Sequence, residues 1–269
     1  MPASASPFVW YELMTTDPAA AAAFYTKVIG WQAADSGMPG MDYTLLSAGP
    51  HQVAGLMALP PESGAGGARP AWLGYVSVDD VDAKAAELTK AGGVLHHPPA
   101  DIPGIGRFAA VSDPHGAAFC LFKDNGMGEY KPPAPDTLGT VGWHELMAGE
   151  LDAAWDFYSR MFGWTRTEAM DMGPMGTYQM FAVGGPHTGP NTGPNTGPTI
   201  GAMMTKPPEV PKASWLYYWH VAAIDAAAGR VKAGGGQVMN GPMEVPGGQW
   251  IVQCSDQQGA MFALVAPKR

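Results

Sequence analysis

Aromatic and β-branched residues crowd the run Phe8 to Met14, which predicts an opening strand. Asp17 then offers a helix N-cap and Pro18 a first helical residue. An Ala-rich helix is expected as far as Ile29, with Gly30 as its C′ residue. Strands are predicted around Tyr43 to Ser47, Val53 to Leu59 and Trp72 to Val78. Asp80 caps a second helix that ends near Gly92 and Gly93. A hairpin follows in GRFAAVSDPHGAAFCLFKD, turning at Asp113-Pro114-His115-Gly116. The order is β-α-β-β, then β-α-β-β.

That plan occurs twice. WYELMTTDPAAAAAFYTKVIGW (Trp10 to Trp31) and WHELMAGELDAAWDFYSRMFGW (Trp143 to Trp164) share Trp, Glu, Leu, Met, Phe, Tyr, Gly and Trp at an offset of 133. Farther on the offset is 143: Trp72, Leu73, Tyr75 and Asp82 match Trp215, Leu216, Tyr218 and Asp225. Pro103, Asp113, Gly116, Phe119 and Leu121 likewise match Pro246, Asp256, Gly259, Phe262 and Leu264. The shift arises between Gly184 and Gly201, where reiterated Thr-Gly-Pro-Asn predicts an extended hairpin loop. A Pro- and Gly-rich stretch separates the copies. The expected domains are 1–126 and 140–269, joined by a linker at 127–139.

Composition narrows the partners. With 46% hydrophobic and 14% charged residues the chain is a folded globular one. A net charge of −9 without any Lys/Arg cluster argues against nucleic acid and against an anionic membrane. No apolar run reaches membrane-spanning length, and the opening residues lack the pattern of a secretory signal. Two cysteines, Cys120 and Cys254, are too few for a disulfide framework, so a cytoplasmic location is expected.

Three motifs in order carry a resemblance: a strand followed by Asp-x-x-x-Ala-x-x-FY-x-x-x-x-GW, a strand ending V-D-D-V-D, and a D-P-x-G hairpin. Together they resemble the vicinal oxygen chelate superfamily of glyoxalase I, bleomycin-resistance proteins and extradiol dioxygenases. The chain looks like the two-domain glyoxalase-like proteins of the actinobacterial type. The resemblance implies an α+β fold of tandem glyoxalase-like domains. Each would be two βαβββ units rolled into a cupped mixed sheet, helices outside.

Such cups often hold a divalent metal on His, Glu or Gln from the first and last strands of each unit. Carried over one by one, the ligand positions fall on Trp10, Leu73, Cys120 and near Met57 in the first copy. In the second they fall on Trp143, Leu216, Ala263 and near Met203. These are poor donors for such an ion, and a lone Cys cannot build a site. A one-residue shift would bring Tyr11 and His144 into the slots, but it turns every side chain to the opposite face. No metal and no cofactor are expected.

If Trp10 faces the cup, so do Glu12 and Met14, and likewise Trp143, Glu145 and Met147. Leu73, Tyr75 and Ser77 share a face, as do Leu216, Tyr218 and His220. Desolvation penalises a charged carboxylate, which suits a general acid or base near neutral pH. Glu12 and Glu145 are therefore the candidate catalytic groups, with Tyr75, Tyr218 and His220 as hydrogen-bonding partners. Trp10, Met57, Cys120, Trp143 and Met203 complete a small-molecule lining. The competing reading makes each Glu a buried acceptor that fixes the sheet. His96 and His97 are read as a loop, and His115 as a solvated turn tip.

Three functions follow: a metal-independent lyase or isomerase, a small-molecule sequestering protein of the bleomycin-resistance type, and a metal-dependent glyoxalase or dioxygenase with non-standard ligands. The partner expected in each case is a small hydrophobic or aromatic molecule. The assembly is either a monomer with an internal pseudo-dimer or a homodimer.

Overall fold

A computed structural model describes residues 6–60, 68–126, 133–184 and 197–269. Most of the Thr-Gly-Pro-Asn stretch and the first half of the linker lie outside the described residues. The first copy runs β1 (Phe8–Thr15), α1 (Pro18–Val28), β2 (Gln32–Asp35), β3 (Tyr43–Ala48), β4 (His51–Ala58), then β5 (Ala71–Ser77), α2 (Val81–Lys90), β6 (Val94–Ile102), β7 (Gly106–Ser112) and β8 (Ala118–Asp124). The second repeats it with β9 (Val141–Ala148), α3 (Leu151–Phe162), β10 (Thr165–Asp171), β11 (Thr177–Ala182) and β12 (Thr199–Thr205). It continues with β13 (Ser214–His220), α4 (Ile224–Ala233), β14 (Gln237–Glu244), β15 (Trp250–Ser255) and β16 (Met261–Ala266).

The fold is α+β, with two eight-stranded mixed sheets. Their strand orders are β2-β3-β4-β1-β5-β8-β7-β6 and β10-β11-β12-β9-β13-β16-β15-β14. Within each βαβββ unit the first and last strands pair in parallel, as β1 with β4 and β5 with β8, and the hairpins are antiparallel. The helices begin where expected. Asp17 and Asp80 accept the N–H groups of Ala20 and Ala83, satisfying donors a helix start leaves unpaired. Glu150 does the same for α3, accepting from Asp152 and Ala153.

Strands β2 and β6 are absent from the sequence expectation. β2 is exposed throughout, so no burial alternation marks it. β6 is a sheet edge containing Pro98 and Pro99, with its register broken between His97 and Ala100. Edge strands tolerate proline because one row of their N–H groups has no ladder partner. His96 and His97 thus stand on a strand and not in a loop. His96 Nε2 lies 2.9 Å from Ser112 Oγ, and His97 stacks on Phe108 with centroids 5.1 Å apart. His115 is an exposed turn tip, as expected, and its ring lies over Gly149.

By internal contacts the chain divides into two compact units, and each takes one half from either copy. One comprises Trp10–Leu73, Lys131–Trp143 and Leu216–Arg269; the other Met1–Val9, Gly74–Tyr130 and His144–Trp215. In the first, Trp72 Nε1 donates to the Tyr25 hydroxyl at 2.9 Å, and that hydroxyl donates to Asp256 Oδ2 at 3.1 Å. Asp256 Oδ1 accepts the N–H groups of Gln258 and Ala260. Arg230 from α4 reaches the carbonyl of Val28 at the end of α1, a favourable place for a cation.

The second unit repeats this chemistry with the copies exchanged. Trp215 Nε1 donates to Tyr158 at 3.0 Å, Tyr158 donates to Asp113 Oδ2 at 3.2 Å, and Asp113 Oδ1 accepts from His115 and Ala117. Lys84 donates to the carbonyl of Met161 at 2.8 Å. Burial pushes both aspartates above the usual carboxylate range, against the opposing pull of these hydrogen bonds. Tyr25, buried beside Asp256, is held well above the usual phenol range. The two units fill their centres differently. Trp219 packs on Tyr11, Trp31 and Trp72 in the first, whereas Phe8 packs on His144, Trp164 and Trp215 in the second.

Candidate functional site

Strand alternation and ladder register place the candidate residues. Leu13 pairs with Leu56, both fully buried in the core. Glu12 pairs with Gly55 and Met14 with Met57, so these four share the opposite face. Trp10, two residues before Glu12, belongs to that face, and its Nε1 donates to the Tyr43 hydroxyl at 3.0 Å. Glu12 is 8% exposed. The unit holding Tyr25 therefore gathers Trp10, Glu12, Tyr43 and Met57 on β1, β3 and β4.

The second copy repeats this around Glu145, in the unit holding Tyr158. Glu145 is 6% exposed, and Tyr178 donates its hydroxyl hydrogen to Glu145 Oε2 at 2.9 Å. Glu145 pairs with Ala202, and Met204 with Met147, on one face. Met203, expected in the lining, pairs with Leu146 and is fully buried on the other face. The expectation is corrected by one residue: Met204 occupies the place that Met57 has in the first copy.

Tyr75 pairs with Cys120, and the two share a face with Phe108 and Phe122. Their rings form a chain: Tyr75 lies 6.1 Å from Phe122 and 6.4 Å from Phe108, which stacks on His97. Cys120 is 1% exposed beneath them. Tyr218, Leu216, Ala263 and Val265 form a buried cluster covered by Trp143 and Ile251. Gln253 Nε2 donates to the Tyr218 hydroxyl at 2.7 Å, and Asn240 supports Gln253 at 3.3 Å. His220 ends β13 over Gly142, with Nε2 3.6 Å from Asp136 Oδ1. Burial lowers its pKa and Asp136 opposes that shift.

Sequence reasoning passed over Tyr43, Tyr178, Gln253, Phe108 and Phe122. The signal available was the repeat itself, since Tyr43 and Tyr178 occupy matching places on β3 and β11. His144 points into the core. It stacks on Phe8 with centroids 4.4 Å apart, its Nδ1 lies 2.8 Å from the Ile200 carbonyl, and burial pushes its pKa down to about 4. Cys254 is a buried thiol pushed up to about 12, which removes it as a nucleophile near neutral pH. An open hollow of about 300 Å³, lined by Glu87, Lys90, Ala91, Arg160 and Met161, holds none of the expected site residues.

The positions carried over for a metal do not fit one. Trp10 directs an N–H donor at Tyr43, and indole nitrogen has no lone pair to give. Among the described residues, no group of three or more His, Cys, Asp or Glu side chains is placed to hold an ion. Also among these residues, no helix is long and apolar enough to cross a membrane.

Comparison with known proteins gives one answer. The model of the Glyoxalase/Bleomycin resistance protein/Dioxygenase superfamily matches residues 8–121 and again 140–264. CFP32 of Mycobacterium tuberculosis, provisionally named a glyoxylase, is 32% identical over 96% of this chain and 94% of its own. The anthracycline biosynthesis protein DnrV of Streptomyces peucetius is 31% identical over 95% and 91%. The Mn(II)-bound glyoxalase of Novosphingobium aromaticivorans superposes with a TM-score of 0.61 at 18% identity, covering 98% of this chain and 82% of that one. The 2,2',3-trihydroxybiphenyl 1,2-dioxygenase of Sphingomonas wittichii gives 0.64 at 13%, covering 98% and 91%. At such identities the two structures report the fold alone.

Proposed function

Since this chain belongs to the glyoxalase/bleomycin resistance protein/dioxygenase superfamily, we propose that it is a glyoxalase-like enzyme that moves protons on a small aromatic or hydrophobic molecule without a metal. Glu12 and Glu145 are the acid/base groups of this reading. The observation that carries it is the buried Glu145 carboxylate, held on Oε2 by the Tyr178 hydroxyl at 2.9 Å. A carboxylate oriented in this way can take a proton from a carbon beside a carbonyl and return it to a neighbouring atom. The tyrosine bond fixes the rotamer. Metal independence is supported by the donor set.

The substrate class is supported by the apolar surroundings of both glutamates and by the likeness to a protein of anthracycline biosynthesis. The test is deuterium exchange at the carbon beside the carbonyl of 2-tetralone in D2O, followed by NMR after chelator treatment. Expected is exchange by the wild type that falls in Glu12→Gln and in Glu145→Gln, with binding retained. Exchange abolished by the chelator and restored by a metal would overturn the metal-free mechanism. The chain of rings at Tyr75, Phe108, Phe122 and His97 favours a second reading, sequestration of a flat molecule. Tight binding without any exchange selects that reading.

A further inference from the structure

The two copies differ at one rung beside the glutamate. Glu12 faces Gly55 across the ladder, and Glu145 faces Ala202. A Cβ at residue 55 would fall inside the phenol of Tyr43: the three atoms nearest to it are the Tyr43 oxygen, Cζ and, at 2.9 Å, Cε1. Gly55 carries no positive φ, so backbone conformation does not demand glycine there. The ring demands it. Tyr43 lies down into the space a side chain would fill, and in that position receives the Trp10 N–H at 3.0 Å.

Its counterpart Tyr178 instead donates to Glu145 Oε2 at 2.9 Å, on the face where Ala202 carries a Cβ. Restoring an ordinary carbon contact at residue 55 would require the Tyr43 phenol to move by roughly 2 Å. The ring cannot sink farther into the sheet, so it must rise on the Glu12 face.

We propose that residue 55 and its counterpart 202 are size-selecting residues, setting how far the tyrosine rises beside each glutamate and so how large a flat molecule the copy admits. Gly55 gives the first copy the greater room. The idea rests on the ligand-binding reading of the glutamate faces. It requires no change in the acid/base groups themselves.

The test combines a stability cycle with a pair of probes, all in the full-length chain. Gly55→Ala is expected to lower Tm, and to lose most of that penalty in a Tyr43→Ala background, where no ring stands in the way. Binding is then followed by tryptophan quenching with three-ring 1,8-dihydroxyanthraquinone and by NMR with two-ring 2-tetralone. Gly55→Ala should weaken the larger probe about tenfold or more while the smaller changes little, as expected when a site loses the volume of one carbon. Ala202→Gly should shift selection toward the larger probe. An unchanged Tm in Gly55→Ala, or an equal penalty in both backgrounds, overturns the steric premise. A relieved penalty with unaltered discrimination overturns size selection alone. Wild type that takes up neither probe overturns the pocket reading and the selection built on it, while the cycle still reports on Tyr43.

Discussion

Glu145 is a carboxylate taken out of water with one oxygen committed to Tyr178. Removing the hydroxyl in Tyr178→Phe should cost about 1–3 kcal/mol of stability, the range for a buried group that loses a charged hydrogen-bond partner; urea titration measures it. Glu145→Gln should cost less, because an amide can still accept from the tyrosine. His144 supplies the pH dependence. Its folded-state pKa is about 4, below the ordinary 6.5, so its contribution is complete above pH 6.5 and disappears as pH falls through 4. By linkage the wild type loses about 3 kcal/mol over that interval through this residue. His144→Phe should show a correspondingly flatter change in urea midpoint between pH 7 and pH 4.5. Both glutamates were legible in the sequence, because a period of two puts Glu12 with Trp10 and Glu145 with Trp143. Tyr43 and Tyr178 were not, since no local pattern reveals which strand pairs with β1 or β9. Met203 was misplaced for a related reason: one residue of register decides a face.

Among the elements, the helices were the most readable. Asp17, Asp80 and the glycines beyond the helix ends satisfy local needs with local residues. Edge strands were the least readable, because β2 and β6 lack the burial that creates alternation. Between these extremes lie the crossed tyrosines. Phe24–Tyr25 and Phe157–Tyr158 are buried in the core, yet each tyrosine also donates to an aspartate in the other copy's final hairpin. Tyr25→Phe and Tyr158→Phe should therefore each cost about 1–3 kcal/mol in chemical denaturation. They should cost similar amounts, since the two arrangements match. A strongly unequal pair would show that one of the two crossings contributes little.

Over the whole molecule, the duplication and the family fold were visible in the sequence, whereas the exchange of halves was not. Matching residues reveal that copies exist, but they are silent on whose hairpin meets whose helix. The exchange predicts that residues 1–126 alone lack a complete unit. By size-exclusion chromatography and circular dichroism, that fragment should acquire cooperative structure only when self-associated or mixed with residues 127–269. A folded monomeric fragment would contradict this. There is also a consequence for biosynthesis. Tyr25 leaves the ribosome 231 residues before Asp256. At about 5–20 residues per second the helix waits on the order of ten seconds or more for its partner. Through that delay Phe24, Trp31 and Trp72, which the finished unit buries, have no completed core to enter. Nascent chains of this design should depend on chaperone holding more than a tandem protein whose domains each close on themselves.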